Sequence, residues 1–461
     1  MKQSFFWAFT LFSHFLLAQT AHIAGTVTNY HPENDGHYVM FSSLDFEKPV
    51  KKLVQIDEKG RFKVALEITN LTEVQVRLGE NTALILVDKG DAVVVEIQSD
   101  STHWRPQWRV KEGKLRTANQ QLAKHIGTLD SLEGDIINAY GAMTANDSFQ
   151  LYARSTLARA AFWQQEHPEL DPVFVRYFSD FLHFSAFHFI SNKPFRLGNK
   201  TMHPTDPYLA FAYDPNTATC QFSRNTEKYY DFVRMGGSFI HVAVDYNPKF
   251  EQERALWGDP ADRHLKARQF KTLIQKLPSQ DVRNAMYKSL FQWYKTIPEL
   301  WESPEQMEAI AQQVKLQNSG NVYDMLREFE APATVKKELE MIFAPAKDKP
   351  LLLDLWMEHC VLCYAGFPKM EEAHTQLADQ VAFAYLAGDT PRDAWQTIST
   401  EKGLTGPNYL LSPDAQLYFK AFFDLYGYPH YILIDKGGEI VSKKYSFRNY
   451  EHLKTHLLRK S

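Results

Sequence analysis

Cys360 and Cys363 are the residues of this chain whose types and spacing most clearly suggest chemistry. They are two of only three cysteines among 461 residues, and Val361 and Leu362 separate them. Two thiols at this spacing can form a disulfide with each other, and a thiolate can attack the disulfide of another molecule. A run rich in apolar residues, Leu351–Trp356, ends shortly before Cys360, so the pair falls where a buried strand gives way to a helix. Unpaired N–H groups at a helix N-terminus favour thiolate over thiol, which predicts Cys360 as the attacking sulfur and Cys363 as the resolving one.

The pair has two other possible uses, as a structural disulfide or as half of a zinc site. A bridge across so short a segment closes a very small loop and therefore adds little stability. Zinc would need further ligands; His359 and His374 are near in sequence, but the chain has no second Cys-x-x-Cys. Redox chemistry is therefore the favoured prediction, with no metal at the site.

Asp354 interrupts the run of apolar residues that precedes the cysteines. A carboxylate inside a buried strand is costly, so the pKa of this group is expected to rise. The alternative is an aspartate at a solvated edge of the strand.

Several spaced elements of the C-terminal region resemble the thioredoxin superfamily. The segment LDLWMEHCVLC, which ends at Cys363, is similar to the family pattern VDFWAxWCxxC, and Pro368 matches the proline that bends the first family helix. The stretch Tyr426–Gly438, YGYPHYILIDKGG, resembles the family's cis-proline strand and hairpin. Together these elements cover about residues 349–458, and within the superfamily they most resemble the exported TlpA-like thiol–disulfide oxidoreductases.

The resemblance implies roles for the residues around the pair. Pro429 is expected to be cis and to pack beside the cysteines, where it lacks the N–H that would compete for an incoming peptide. A trans turn proline is the alternative. The backbone of Gly427 and Tyr428 is expected to pair with the substrate in strand fashion, and Trp356 and His359 are expected to contact it.

The same resemblance implies that Asp354 moves a proton on or off Cys363. The chain departs from the family at His359, where Trp is usual, and at Leu362, where Pro is usual. A protonated His359 would stabilise the Cys360 thiolate and make the pair more oxidising, whereas a neutral and merely exposed imidazole would not.

The first residues have the layout of a secretory signal peptide. Lys2 precedes an apolar stretch that ends at Leu17, and Ala18–Ala21 supplies small residues suited to cleavage. A membrane anchor is the alternative, but a membrane span needs about 20 apolar residues and this stretch is shorter. We therefore predict that residues 1–18 are removed and that the protein is exported. The resemblance to exported TlpA-like proteins implies the periplasm of a Gram-negative bacterium as its location.

Residues 19–103 are predicted to form an antiparallel β-sandwich-like domain. Arg61–Ile68 and Val93–Ile97 alternate between apolar and polar residues, which is the period of a half-buried strand. The segments 57–60 and 88–91 each contain a glycine that can supply the positive φ of a hairpin turn.

Residues 104–345 are predicted to form an α-helical domain, because apolar residues recur there at spacings of three and four. Asp171-Pro172 and Ser303–Gln306 have the patterns of helix starts, and Asp281–Tyr294 reads as another helix. The stretch Asn192–Asn225 is rich in Pro, Asn and Thr and is predicted to be a long loop.

Residues 346–461 are predicted to form an α/β thioredoxin-like domain. Leu351–Trp356, Val381–Ala387 and Tyr431–Ile434 read as strands covered on both faces, and helical patterns lie between them. The prediction is a mostly parallel sheet with helices on both faces.

The formal net charge of −4 argues against a nucleic-acid-binding role. We predict a thiol–disulfide oxidoreductase without metal or organic cofactor, by resemblance a reductant that a membrane-embedded electron donor recycles. Protein disulfides, such as those of apocytochrome c or misoxidised envelope proteins, are the implied substrates. The alternative is an envelope binding protein that keeps a catalytically idle thioredoxin-like domain as a scaffold. Cys220 is predicted to be an unpaired thiol in a loop.

Overall fold

The structure, a computed structural model, describes residues 19–43, 50–99, 107–196 and 260–458, apart from positions 69, 80, 278–279, 319, 330–331, 424, 426 and 446. The predicted signal peptide 1–18, Cys220 and most of the predicted loop Asn192–Asn225 lie outside these residues, so they remain predictions. Within the described part, no helix is both long enough and apolar enough to cross a membrane. The three predicted regions, β-sheet, helical and α/β in that order, are confirmed.

The N-terminal region consists of two four-stranded sheets that share one apolar core. The strands are β1 (Gln19–Thr28), β2 (Tyr38–Ser43), β3 (Val50–Gln55), β4 (Arg61–Ile68), β5 (Thr72–Leu78), β6 (Asn81–Val87), β7 (Ala92–Gln98) and β8 (Gln107–Glu112), with a short helix α1 (Pro32–Asp35) after β1. The strand orders are β4-β1-β7-β8 and β3-β2-β5-β6. In β4 the predicted alternation is confirmed, because Arg61, Lys63 and Glu67 are exposed and the apolar residues that alternate with them are buried, namely Phe62, Val64, Leu66 and Ile68.

Two details of the predicted sandwich are wrong. The strands β1 and β7 pair in parallel, so the first sheet is mixed rather than antiparallel. Gly60 and Gly90 do have the expected positive φ, 74° and 64°, but the turns that contain them connect strands of different sheets and are not hairpins. A positive φ allows a tight reversal of the chain and does not determine which strand pairs with which.

The β region also extends beyond its predicted boundary at residue 103. Strand β8 pairs with β7 in antiparallel fashion, with Trp108 opposite Ile97 and Val110 opposite Val95. The helices begin only after this strand.

The described residues of the next region contain the α-helices α2 (Arg116–Ala142), α3 (Asn146–Gln165), α4 (Pro172–Arg196), α5 (Pro260–Gln275), α6 (Gln280–Tyr294) and α7 (Pro304–Asn318). Both predicted helix starts are confirmed. The carboxylate of Asp171 accepts a hydrogen bond from the N–H of Val173 at 2.8 Å, and Ser303 Oγ accepts one from the N–H of Gln306 at 3.2 Å. Helix α4 continues to Arg196, so the start of the predicted loop Asn192–Asn225 is helical.

The C-terminal region is a five-stranded sheet with helices on both sides. Its strands are β9 (Leu351–Trp356), β10 (Ala382–Ala387), β11 (Asn408–Leu410), β12 (His430–Ile434) and β13 (Ile440–Ser442), in the order β11-β10-β9-β12-β13. Its helices are α8 (Val322–Glu328), α9 (Ala333–Phe343), α10 (Val361–Leu377), α11 (Arg392–Glu401), α12 (Pro413–Phe422) and α13 (Tyr450–Leu458). The central strand β9 runs parallel to β10 and antiparallel to β12.

The two faces of β9 point into different cores. Leu351, Leu353 and Leu355 pack with residues of α9 and α12, whereas Leu352 and Trp356 pack with residues of α10. Because successive side chains of a strand alternate between faces, Asp354 lies on the α10 side.

The α/β region begins earlier than the predicted boundary at residue 346. Helices α8 and α9 were predicted to belong to the helical domain, but Val322 and Leu339 are buried in the same core as Leu353. Asn321 also forms an isolated β-bridge with Glu439. The prediction that these segments are helical was correct, but they pack against the C-terminal sheet rather than in the helical region.

Candidate active site

Cys360 and Cys363 lie at the N-terminus of α10, where Cys360 is the N-cap residue. Their sulfurs form a disulfide with an S–S distance of 1.96 Å. Cys360 is 8 % exposed and Cys363 is fully buried. The N–H of Cys363 donates a hydrogen bond to Sγ of Cys360 at 3.1 Å. The same N–H also donates to the carbonyl of Cys360 at 3.0 Å, so a helix N-terminal N–H lies against the outer sulfur, and a donor in this position favours a thiolate there.

Asp354 is fully buried on the same face of the sheet as the disulfide. Neither of its carboxylate oxygens has a hydrogen-bond partner among the described residues. Burial therefore raises the pKa of this carboxyl well above its ordinary value. This direction agrees with the predicted rise in the pKa of Asp354. The alternative, an aspartate at a solvated edge of the strand, is wrong, because the side chain is fully buried.

Two tyrosines are directly opposite Asp354 in the neighbouring strands, Tyr385 in β10 and Tyr431 in β12. The hydroxyl of Tyr385 donates to Glu371 Oε1 at 2.7 Å. Burial and then this hydrogen bond raise the pKa of Tyr385, and burial followed by the charge of Asp354 raises the pKa of Tyr431. The carboxyl of Asp354 is thus enclosed by aromatic side chains and by the core behind the disulfide.

Trp356 does not contact the surface. Its side chain is fully buried and its ring packs edge-on against Phe367, with centroids 5.6 Å apart. Trp356 was predicted to contact substrate, but its side chain is buried in this structure, because a strand covered on both faces buries its last residue as well as its first.

The outer rim of the site is exposed and partly apolar. Val361 is 76 % exposed and Leu362 71 % exposed, although both are large hydrophobic residues. The imidazole of His359 is 80 % exposed, and its Nε2 lies 3.8 Å from a carboxylate oxygen of Glu358. A peptide that approached Cys360 would meet these side chains first.

The Tyr428–Pro429 peptide bond is cis. Strand β12 begins at the next residue, His430, which pairs with Leu355 near the end of β9. Gly427 is exposed and Tyr428 is half-buried. The backbone of this segment therefore leaves the sheet at the same end of β9 from which the chain continues to Cys360.

One contact of this segment was not predicted. The hydroxyl of Tyr428 donates to Asp389 Oδ2 at 3.3 Å, and Asp389 has a positive φ of 45°. The only signal in the sequence is Gly388-Asp389 directly after an apolar run, a pair that tolerates such a backbone conformation.

Among the described residues, no group of three or more His, Cys, Asp or Glu side chains is arranged to hold a metal ion.

No protein-family model and no curated protein matches the chain. Several solved structures match part of the chain. The chain is similar to the thioredoxin domain of a thiol–disulfide oxidoreductase from Bacteroides vulgatus, with 23 % identity over 24 % of this chain and 81 % of that one, at a TM-score of 0.23. It is also similar to a secreted disulfide oxidoreductase from Mycobacterium tuberculosis, with 19 % identity over 25 % of this chain and 85 % of that one, at a TM-score of 0.22. Over about a quarter of its length, the chain thus resembles thiol–disulfide oxidoreductases that have a thioredoxin domain.

Proposed function

We propose that this protein is a thiol–disulfide oxidoreductase that exchanges disulfides with protein substrates through Cys360 and Cys363. The observation that carries the proposal is the unequal placement of the two sulfurs at the start of α10. Cys360 keeps 8 % of its surface exposed and receives a helix N–H, whereas Cys363 is fully buried on the side of the unpartnered Asp354. An attacking sulfur needs access and a stabilised thiolate, and a resolving sulfur needs neither.

In the reducing direction, the Cys360 thiolate attacks one sulfur of a substrate disulfide. A mixed disulfide forms, and the other substrate sulfur leaves as a thiolate that takes up a proton. Asp354 then accepts the proton of Cys363, and the resulting thiolate attacks Sγ of Cys360. The second substrate thiolate leaves and is protonated, so the substrate gains two electrons and the enzyme pair is oxidised to the disulfide. Because burial raises the pKa of Asp354, its ionised form is a stronger base than an ordinary carboxylate, which suits it to accept this proton.

Two features support peptides as substrates. Val361 and Leu362 present apolar side chains to solvent beside Cys360, and such side chains suit contacts with another protein. Pro429 has no N–H, and the adjacent backbone of Gly427 and Tyr428 is available to pair with an extended peptide.

The cellular setting is also part of the proposal. The signal-like residues 1–18 support export, and the resemblance of the cysteine and cis-proline segments supports a periplasmic reductant. Such a reductant would be recycled by a membrane electron donor and would serve apocytochrome c or misoxidised envelope proteins. We also propose three domains, with the β-sandwich ending after β8 and the thioredoxin-like domain beginning near Asn321.

The test is reduction of insulin by dithiothreitol with three cysteine variants. Cys360→Ser should abolish catalysis, because it removes the attacking sulfur. Cys363→Ser should capture protein substrates from envelope extracts as stable mixed disulfides, visible on non-reducing gels. Cys220→Ser is the matched control and should behave like the wild type. A wild-type protein that does not reduce insulin, together with a Cys363→Ser variant that captures nothing, would support the idle scaffold instead.

A further inference from the structure

The turn Gly388–Thr390, which follows β10, contacts both chain segments that flank the disulfide. Its first N–H donates to the carbonyl of Trp356 at 2.9 Å, and the hydroxyl of its last residue accepts a hydrogen bond from the N–H of Glu358 at 3.1 Å. Both contacts are to the segment that leads from β9 to Cys360. On its other side the turn contacts Tyr428, which precedes the cis proline.

Asp389 is the centre of this arrangement. One oxygen of its carboxylate accepts the hydroxyl hydrogen bond of Tyr428 at 3.3 Å, and the other lies 3.6 Å from Nζ of Lys420. The side chains of Asp389 and Lys420 are only 21 % and 8 % exposed, so solvent screens this ion pair weakly. The N–H of Asp389 also donates to Gln416 Oε1 at 3.2 Å, which ties the turn to α12 a second time.

Gly388 shows that the turn is shaped around the tyrosine hydroxyl. A Cβ at this position would lie 2.2 Å from Oη of Tyr428, closer than two such atoms approach in proteins. Any other residue at position 388 would therefore displace the tyrosine. Gly388 thus leaves space for the hydroxyl of Tyr428, and Asp389 accepts its hydrogen bond.

We propose that Asp389 is a positioning residue, which acts through the Tyr428 hydroxyl to hold the Tyr428–Pro429 segment in register with Cys360. This inference rests on the proposed function. An extended peptide that pairs with the backbone at Tyr428 must place its disulfide at Cys360, so the distance between these two segments determines how well the peptide binds. The same turn forms hydrogen bonds with the segment before Cys360 and with Tyr428, so it determines the distance between them.

The kinetic test compares Asp389→Gly, Tyr428→Phe and the double variant in insulin reduction. Glycine accepts the positive φ of position 389 and removes only the carboxylate. Each single variant should raise KM for insulin about tenfold, the effect of losing a hydrogen bond to a charged group, with kcat changed less than about twofold. The double variant should be no worse than either single one, because both changes remove the same contact.

Asp393→Asn, at an exposed carboxylate near the start of α11, is the matched control and should keep the wild-type KM. An unchanged KM in the single variants, or a KM that rises multiplicatively in the double variant, would show that Asp389 does not act through Tyr428. Tyr428→Phe keeps the ring and so tests the contact even if loss of the Lys420 partner unfolds Asp389→Gly.

A second measurement does not depend on activity. Amide hydrogen exchange of residues 427, 428 and 430 in the oxidised protein should be faster in both single variants, because the segment loses its anchor, and unchanged in Asp393→Asn. If the wild type reduces no disulfide, the proposed function fails while this measurement still decides the positioning role. Equal exchange in all four proteins would overturn that role.

Discussion

Two buried aspartates lie on opposite sides of the C-terminal sheet, and they differ in their hydrogen-bond partners. Asp414, on α12, is 4 % exposed and accepts two hydrogen bonds from His37 of the N-terminal region, one from the backbone N–H and one from ring Nδ1, each at 2.8 Å. Asp354, on β9, is fully buried and has no hydrogen-bond partner among the described residues.

The difference separates a carboxylate with a structural role from the one to which we assign proton transfer. Burial of a carboxylate is unfavourable unless hydrogen bonds or opposite charges replace its water. Asp414 has such replacements and joins two regions of the chain. Asp354 has none, so its presence costs stability. Its position behind the disulfide supports the proposed role in proton transfer with Cys363. The comparison predicts that substitutions at the two positions change stability in opposite directions.

The largest expected effect is on catalysis at Asp354. In Asp354→Asn, nothing accepts the proton of Cys363, so the rate of insulin reduction should fall about 100-fold, the typical size of a lost general base. Single-turnover kinetics should place the loss in the release of the mixed disulfide rather than in its formation. A variant as fast as the wild type would mean that Asp354 is not used as a base and that the comparison fails.

The next effect is on stability at Asp414. Asp414→Ala leaves the backbone N–H of His37 without its acceptor and should lower the free energy of unfolding by about 2 kcal/mol, measured by urea denaturation. Asp393→Ala is the matched control. Both residues are the second residue of a helix, but Asp393 is exposed, so its loss should cost only a few tenths of a kcal/mol. Equal losses would assign the effect to the helix N-terminus rather than to the contact with His37.

Stability at Asp354 should change in the opposite direction and should depend on pH. Below about pH 3.9 the carboxyl is protonated in both the folded and unfolded states, and its titration adds nothing. Above that pH the unfolded state ionises while the folded state keeps its proton, so the wild type loses stability as pH rises toward the raised folded-state pKa.

The Asp354→Asn variant has no proton to lose at this position. Its advantage over the wild type should therefore grow as pH rises above about 4, by about 1.4 kcal/mol for each pH unit, until the pH reaches the raised folded-state pKa. Urea denaturation at several pH values measures this difference. A difference that does not change with pH would show that Asp354 ionises freely in the folded protein.

The smallest effect is expected at His359, which extends the comparison to an exposed group. The charge of a protonated imidazole stabilises the Cys360 thiolate, so His359→Trp should lower the reduction potential of the pair. Because the ring is 80 % exposed, the shift should not exceed about 15 mV. A glutathione titration of the wild type and the variant measures this shift. Equal potentials in the two proteins would show that the imidazole of His359 does not act on the cysteine pair.

Local patterns in the sequence predicted the strands and helices well. The alternation in Arg61–Ile68 and the apolar run Leu351–Trp356 correspond to β4 and β9, because burial along one element follows directly from its own residues. Which elements pack together could not be predicted in this way. Helices α8 and α9 have an apolar face that would suit the helical region equally well, and only the structure shows that they cover β9.

The candidate site was predictable in part. The position of Asp354 within an apolar run correctly predicted its burial, and the same run explains why Trp356 is buried as well. Asp389 could not be predicted, because its partners Lys420 and Tyr428 lie far along the chain and no motif joins the three.

The enclosure of α12 has a consequence for how this protein could have evolved. All residues from Asp414 to Ala421 are buried, since the helix lies between its own sheet, α9 and the strands β2 and β3. A helix without a solvent-facing side cannot be moved to a new neighbour by recombination, because Tyr418 and the other large side chains would meet water wherever a covering surface was missing. The N-terminal sandwich and the α/β region should therefore be inherited as one unit, and substitutions in β2 should be accompanied by substitutions in α12.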